Sequence, residues 1–211
     1  MTDLTFYTHP MSRGRIIRWM LEEVGQSYDT EILDFATSMK APAYLSVNPM
    51  GKVPAIKHGE TVITECAAIC AYLADAFPQA GLAPPTSDRG AYYRWLFFTA
   101  GPLEQAVIMK AMGWQTPEAR RAVVGSGSLE EVLDAIESRL DGRDHVAGDR
   151  FTAADLYLSS HLGWGMGFGT VEKRPTFERY VALHASRPAA LRANEIDDAL
   201  IAAQQQPEPV G

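Results

Sequence analysis

The chain has 211 residues and a formal net charge of −7 at neutral pH. That balance leaves no basic footprint for a nucleic-acid partner, and no apolar run approaches the roughly 20 residues that a membrane-spanning helix needs. An ordinary globular composition with two cysteines and no secretory layout at the N-terminus leads to the expectation of a reduced, cytoplasmic protein.

Leu4 to Thr8 reads as a short strand, His9-Pro10-Met11 as a turn and Ser12 as a helix N-cap. Ile16, Ile17, Met20, Leu21 and Val24 fall on one face of a helix that Gly25 ends. Tyr28 to Leu33 is a second strand, followed by a looser segment with Lys40, Pro42 and Tyr44. Asn48-Pro49 and Gly51 are turn signals. Val53 and Ile56 read as a buried strand that Pro54 interrupts, and a proline within a sheet sits at an edge or a bend. A cis Val53-Pro54 bond would turn the Val53 backbone outward, where its N–H and C=O could pair with an extended peptide. A turn at His58-Gly59-Glu60 leads to a strand over Thr61 to Thr64. The next helix opens at Glu65-Cys66, where free N–H groups favour a carboxylate. One edge for a backbone and one helix start for a carboxylate suit a small acidic peptide. Ile69, Tyr72, Leu73 and Ala76 form that helix's stripe, which stops before Pro78. Cys66 and Cys70, four apart on it, have no companions at metal spacing, so no metal is expected; both read as helix-packing residues.

The Gly- and Pro-bearing stretch 81–88 reads as a linker, and the chain beyond it reads helical. Arg89 to about Met112 reads as a helix, and its Tyr92, Tyr93, Trp95, Phe97 and Phe98 are too many aromatics for a surface helix. Gly125 to Ser128 breaks the chain, and Leu129, Val132, Leu133, Ile136 and Leu140 mark an amphipathic helix. Thr152 and Asp155 form a capping-box-like pair with Phe151 as a hydrophobic staple. Gly163 to Gly169 alternates glycine with Trp164, Met166 and Phe168, either as a close helix contact or loop or as the wall of an apolar pocket. The expected fold is thus an α/β thioredoxin-like domain over 1–80, a linker over 81–88, an all-α domain over 89–203 and a disordered tail over 204–211.

Three segments in this order resemble the cytosolic glutathione transferases: Phe6 to Ser12, Asn48 to Ile56 with Glu65-Cys66, and Gly148 to Asp155. The resemblance covers nearly the whole chain. It implies an enzyme that takes glutathione as co-substrate, holds it as thiolate and adds it to a small apolar electrophile. A free thiol has a pKa near 8.5, so a hydrogen bond to the thiolate and a nearby helix start are needed to ionise it at neutral pH. Where thioredoxins carry a cysteine pair, this chain has His9-Pro10-Met11-Ser12, so the sulfur must come from the ligand. Ser12 is the first choice for the thiolate donor, Tyr7 its rival, and Ser12 also reads as a plain cap. Arg13 and Arg15 could add positive potential.

By the same resemblance Val53, held by Pro54, pairs its backbone with the cysteinyl moiety, and Glu65 meets the γ-glutamyl amino group. Cys66, where the family usually has serine, offers its N–H to the γ-glutamyl carboxylate, although its S–H donates weakly. Lys40 and Lys52 are placed for the glycyl carboxylate. Trp164, Met166 and Phe168, with Trp114 as a weaker candidate, would wall the electrophile pocket. The resemblance further implies a homodimer. Two rivals remain: a glutathione-dependent disulfide or peroxide reductase on the same fold, and a non-catalytic binding or regulatory protein.

Overall fold

The computed structural model describes residues 3–204. The tail expected to be disordered therefore lies, after Gln204, outside the described residues. The chain divides into two compact units, Met1–Ala80 with Arg187–Gly211 and Gly81–Ser186. The helical domain expected over 89–203 thus ends earlier by packing: its last helix goes with the first unit.

The first unit is built on a mixed sheet of four strands in the order β2-β1-β3-β4. These are β1 (Leu4–Thr8), β2 (Asp29–Ile32), β3 (Ala55–His58) and β4 (Thr61–Thr64). β1 runs parallel to β2 and antiparallel to β3, with Tyr7 opposite Glu31 on one side and Ala55 on the other. A parallel pair needs a crossover, and α1 (Gly14–Val24) supplies it. Its predicted stripe of Ile16, Ile17, Met20, Leu21 and Val24 is buried. Each such side chain contributes about 1.5–3 kcal/mol when removed from water. Gly25 closes the helix at φ 72°, with its N–H on the Leu21 carbonyl. The short α2 (Pro42–Leu45) and α3 (Cys66–Ala76) complete the thioredoxin-like arrangement, and α9 (Pro188–Gln204) packs on α1.

That last contact is built around a buried ion pair. Arg18 and Asp197 are 2% and 1% exposed, with Arg18 Nε donating to Asp197 Oδ1 at 2.8 Å. Arg18 Nη1 reaches Tyr28 Oη at 3.3 Å and Thr30 Oγ1 at 3.4 Å, and its guanidinium lies 5.2 Å from the Phe6 ring centroid. Burial raises the Asp197 pKa, and Arg18 opposes that shift. Around this pair, Arg187 holds Glu23 through two hydrogen bonds of 2.6 and 2.8 Å, and Arg15 reaches Asp198 at 2.8 Å.

The second unit is helical: α4 (Gly90–Phe98), α5 (Glu104–Ala111), α6 (Leu129–Leu140), α7 (Ala153–Phe168) and α8 (Pro175–Ala185). The long aromatic helix expected after Arg89 is interrupted by a π-helical turn over Thr99–Leu103 that contains Pro102. A proline removes one helical hydrogen bond, and the wider turn accommodates the loss. The Gly163–Gly169 run is helix as far as Phe168, not a loop, and Gly169 caps it at φ 74°. A Cβ on Gly163 would lie 3.3 Å from Val181 Cγ1 of α8, a close helix–helix contact, and one on Gly165 would lie 2.3 Å from Val171 Cγ2 in the bend after α7. Asp155 is fully buried and takes four hydrogen bonds. Oδ1 accepts from Val146 N at 2.7 Å and Tyr180 Oη at 2.8 Å, and Oδ2 accepts from Thr152 N at 2.9 Å and Thr152 Oγ1 at 3.0 Å. The structural role expected of the Thr152–Asp155 pair is thereby observed.

Removing one member of a buried ion pair strands the other charge, whereas replacing both by apolar groups does not. Asp197→Ala should therefore destabilise the protein by about 3–5 kcal/mol. The double variant Arg18→Met, Asp197→Leu should recover most of that loss. Urea unfolding followed by tryptophan fluorescence checks both, and a double variant no more stable than the single would contradict the account.

Candidate functional site

The segment from Asn48 to Val53 is fixed from several sides. Gly51 N–H closes the turn on the Asn48 carbonyl at 2.8 Å, and the Asn48 side chain accepts Met50 N–H at 3.1 Å. Gly51 has φ 56°, and a Cβ there would meet the Met39 carbonyl at 2.9 Å, so both conformation and space require glycine. Lys40 Nζ donates to the Gly51 carbonyl at 2.6 Å. The Lys52 carbonyl accepts two bonds, from Tyr44 Oη at 2.6 Å and Asn48 Nδ2 at 2.8 Å. The next peptide bond, Val53-Pro54, is cis, the condition under which the sequence opened the Val53 backbone to a peptide. Among the described residues the Val53 N–H and C=O have no hydrogen-bond partner. Both are open to an added strand.

A cavity of about 360 Å³ lies beside Val53. Ser12, Arg13, Phe35, Lys40 and Lys52 line it together with Val53. The turn from β1 into α1 sets its other wall. His9 Nδ1 accepts Met11 N–H at 3.1 Å, and the His9 ring packs tilted against Phe35 at 4.2 Å between centroids. Ser12 Oγ donates to the His9 carbonyl at 2.7 Å and accepts Gly14 N–H at 2.9 Å. The helix itself begins at Gly14, one residue later than a Ser12 cap implies, with Arg13 at the formal cap position. Ser12 is half-buried at the cavity, and its proton is engaged locally.

Tyr7 sits elsewhere. It belongs to a core cluster with Leu33, Met39, Tyr44 and Ala55, its ring 5.5 Å from that of Tyr44, and it does not line the cavity. Burial and then the Glu31 carboxylate raise its pKa, and burial pushes the Tyr44 phenol up to about 12.

Glu65 stands immediately before α3 with φ 67° and ψ 122°, the one non-glycine residue at positive φ among the described residues. Such backbone costs of the order of 1–3 kcal/mol and persists where the surroundings over-determine it. Its side chain is exposed. Cys66 opens the helix with Sγ 3.9 Å from the Arg13 carbonyl, which ties the helix start to the cavity wall. Cys70 is fully buried and burial raises its thiol pKa well above the ordinary value, in keeping with a packing role.

The structure therefore brings Ser12, Arg13, Lys40, Lys52 and Val53 together, with Cys66 touching Arg13. It leaves Tyr7 in the core. The four residues expected to wall an apolar pocket are not united: Trp114 lines a different cavity within the helical unit, and Trp164, Met166 and Phe168 on the last turns of α7 do not line it. Phe168 is 82% exposed. Sequence reasoning missed Phe35 as a wall and Tyr44 as the clamp on Lys52. Nothing local to either residue signals those roles, because the surfaces they meet are brought to them by the fold of the chain. His145, Asp155 and His184 place three potential metal-ligand atoms within 4.8 Å of one another. All four acceptor positions of the Asp155 carboxylate are already filled by Val146, Tyr180 and Thr152, so this carboxylate serves the fold.

The strain at Glu65 gives a test of sign. Glu65→Gly keeps the backbone geometry without the Cβ penalty, so stability should rise by about 1 kcal/mol, against the usual direction for a substitution. Urea denaturation checks this, and a loss of stability would show that the Glu65 side chain holds the helix start.

Comparison with known proteins adds an independent line. Residues 2–75 match the family model for the glutathione S-transferase N-terminal domain, and residues 101–188 that for the C-terminal domain. The chain is 30% identical to glutathione S-transferase 3 of Zea mays over 90% of this chain and 92% of that protein. It is 32% identical to the glutathione S-transferase GstA of Escherichia coli O157:H7 over 75% of this chain and 77% of that one. Among solved structures, a glutathione transferase from Methylococcus capsulatus superposes with a TM-score of 0.77 at 30% identity, covering 93% of this chain and 99% of that one. A sphingomonad glutathione S-transferase complexed with glutathione superposes with a TM-score of 0.76 at 30% identity, covering 92% and 98%.

Proposed function

Because this chain belongs to the glutathione S-transferase family, we propose that it binds glutathione in the cavity beside Val53 and transfers its thiolate to a small apolar electrophile. The observation that carries this reading is the unpartnered Val53 backbone beside a cavity lined by Ser12, Arg13 and Lys52. An extended tripeptide adds itself to such an edge through main-chain hydrogen bonds. The glutathione bound to the related sphingomonad enzyme supports the choice of peptide.

In this reading the cysteinyl N–H and C=O pair with Val53. The γ-glutamyl carboxylate meets the N–H groups at the start of α3, at Cys66, and Glu65 takes the γ-glutamyl ammonium. Lys52 faces the glycyl carboxylate. Lys40 contributes its charge while holding the Gly51 carbonyl. The thiol lies at the β1–α1 turn, where Ser12 donates to the thiolate by rotating its O–H away from the His9 carbonyl, and Arg13 adds positive potential. A hydrogen bond to the charged form lowers the thiol pKa, and proximity then does much of the remaining work. Tyr7 stabilises the sheet beneath the site and is not the donor.

We also propose that two copies associate through α4. Phe97 is 68% exposed and Tyr93 beside it 41%, with ring centroids 6.5 Å apart. Adjacent exposed aromatics on one helix face mark an association surface. Phe97→Glu should shift the sedimentation coefficient from dimer to monomer at micromolar protein, and a parent protein that sediments as a monomer contradicts the proposal.

Ultraviolet absorbance of bound thiolate separates the two donor candidates. Ser12→Ala should raise the pH midpoint for thiolate formation by about one unit, equivalent to about 1.4 kcal/mol. Tyr7→Phe should leave it in place, and glutathione should still bind to both variants. A midpoint moved by Tyr7→Phe and not by Ser12→Ala would transfer the role to Tyr7.

A further inference from the structure

Two turns built on the same plan flank the cavity beside Val53. At Asn48-Pro49-Met50 the Asn48 side chain accepts the Met50 N–H at 3.1 Å. At His9-Pro10-Met11 the His9 side chain accepts the Met11 N–H, also at 3.1 Å. A side-chain acceptor that takes the N–H two residues on closes an Asx-type turn, and a proline directly after it favours that turn. The first turn leads into Gly51 and Lys52 and the second into Ser12 and Arg13, and all four residues line the cavity. An imidazole nitrogen thus stands in one turn where an amide oxygen stands in the other.

The two acceptors differ in their chemistry. An amide oxygen accepts at any ordinary pH. An imidazole nitrogen accepts only while it carries no proton, so the neutral ring of His9 has its proton on Nε2. A proton on Nδ1 sets one donor against another, and the turn loses the bond that closes it. His9 holds the same turn at a second point, because its carbonyl accepts from Ser12 Oγ at 2.7 Å. Its ring is 5% exposed and packs against Phe35, which is another wall of the cavity. Movement of this one side chain therefore reaches Met11, Ser12 and Phe35 together.

The charged groups around the ring come from three segments. Asp34, after β2, is the carboxylate that feels the His9 charge; its carboxyl is held below the usual range first by the Ala36 N–H, with His9 adding to the effect. Arg13 on the same turn, and Lys40 and Lys52 on the opposite wall, are the cations of the cavity. A cationic ring at His9 would add to the positive charge of these three.

We propose that His9 is a positioning residue for Ser12 and that it is competent only as the neutral imidazole, so that glutathione binds more tightly above the titration of His9 than below it. The inference rests on the reading of this cavity as the glutathione site. The Asn48 turn shows that the geometry needs only an acceptor; what histidine adds at position 9 is a dependence on pH.

An unperturbed imidazole changes charge between about pH 5 and 8. S-hexylglutathione has no thiol proton, so its binding reports the turn and not thiolate formation. Calorimetric titration of the full chain at about pH 7.5 and about pH 5.5 should show the dissociation constant rising about tenfold on acidification, the effect of one lost hydrogen bond. His9→Asn restores the acceptor without a titrating group. It should bind within about twofold of the parent at the higher pH and change by no more than about twofold at the lower. The Met11 amide resonance, followed by NMR without ligand, should shift in one step over this range in the parent and stay in place in His9→Asn. A parent affinity equal at both pH values, or a loss on acidification that His9→Asn retains in full, would overturn the positioning role alone. A parent that binds no S-hexylglutathione at either pH, with the Met11 step intact, would overturn the glutathione reading and this role with it.

Discussion

The first unit turns on the double hydrogen bond to the Lys52 carbonyl. Tyr44 Oη and Asn48 Nδ2 hold that one oxygen at 2.6 and 2.8 Å. Two lone pairs satisfied in this way leave the peptide group no freedom to rotate. That constraint sets the chain on the far side of it: Val53 emerges in a fixed direction, with its N–H and C=O unpartnered among the described residues, and β3 enters the sheet at Ala55 in register with Tyr7. Tyr44 is itself braced by Tyr7, so the core tyrosine supports the site through one intermediate ring.

The two units solve a similar problem in different ways. In the first, Arg18 and Asp197 are removed from water together, and Arg18 Nη2 and Asp197 Oδ2 find no hydrogen-bond partner among the described residues. Such a pair is held at a cost, and what it specifies is where α9 lies against α1. In the second, the Asp155 carboxylate has every acceptor position filled by Val146, Tyr180 and Thr152. It joins the start of α7, the segment before it and α8, and burial with the adjacent carboxylate keeps the Tyr180 phenol protonated. The first pair fixes a helix by charge, and the second by saturated hydrogen bonding.

Several elements were legible because their signals are local. The stripe from Ile16 to Val24, the stop at Gly25 and the Thr152–Asp155 pair depend on residues within a few positions of one another, and the structure contains each of them. The turn at Asn48-Pro49 and Gly51 is of the same kind. Two details depend on effects that do not repeat along the sequence. The helix after Arg89 runs on through Pro102 by widening into a π-helical turn. The alternating glycines of α7 are helical as far as Phe168, and Gly165 lies against Val171, a contact created by the chain turning back after Gly169.

By itself the sequence determined the two kinds of unit, the family, and the turn and proline that set off the segment around Val53. All of these rest on residue types at short spacing, which the backbone reads directly. Only the tertiary structure decided between the residues that share those segments. It put Ser12 at the cavity and Tyr7 in the core, although both sit at one strand end. It turned Lys40 onto the Gly51 carbonyl, separated Trp114 from Trp164, Met166 and Phe168, and gave α9 to the first unit. The physical reason is common to these cases. A side chain's role depends on which distant surface its backbone direction brings it to, and that surface exists only once the sheet and helices have packed.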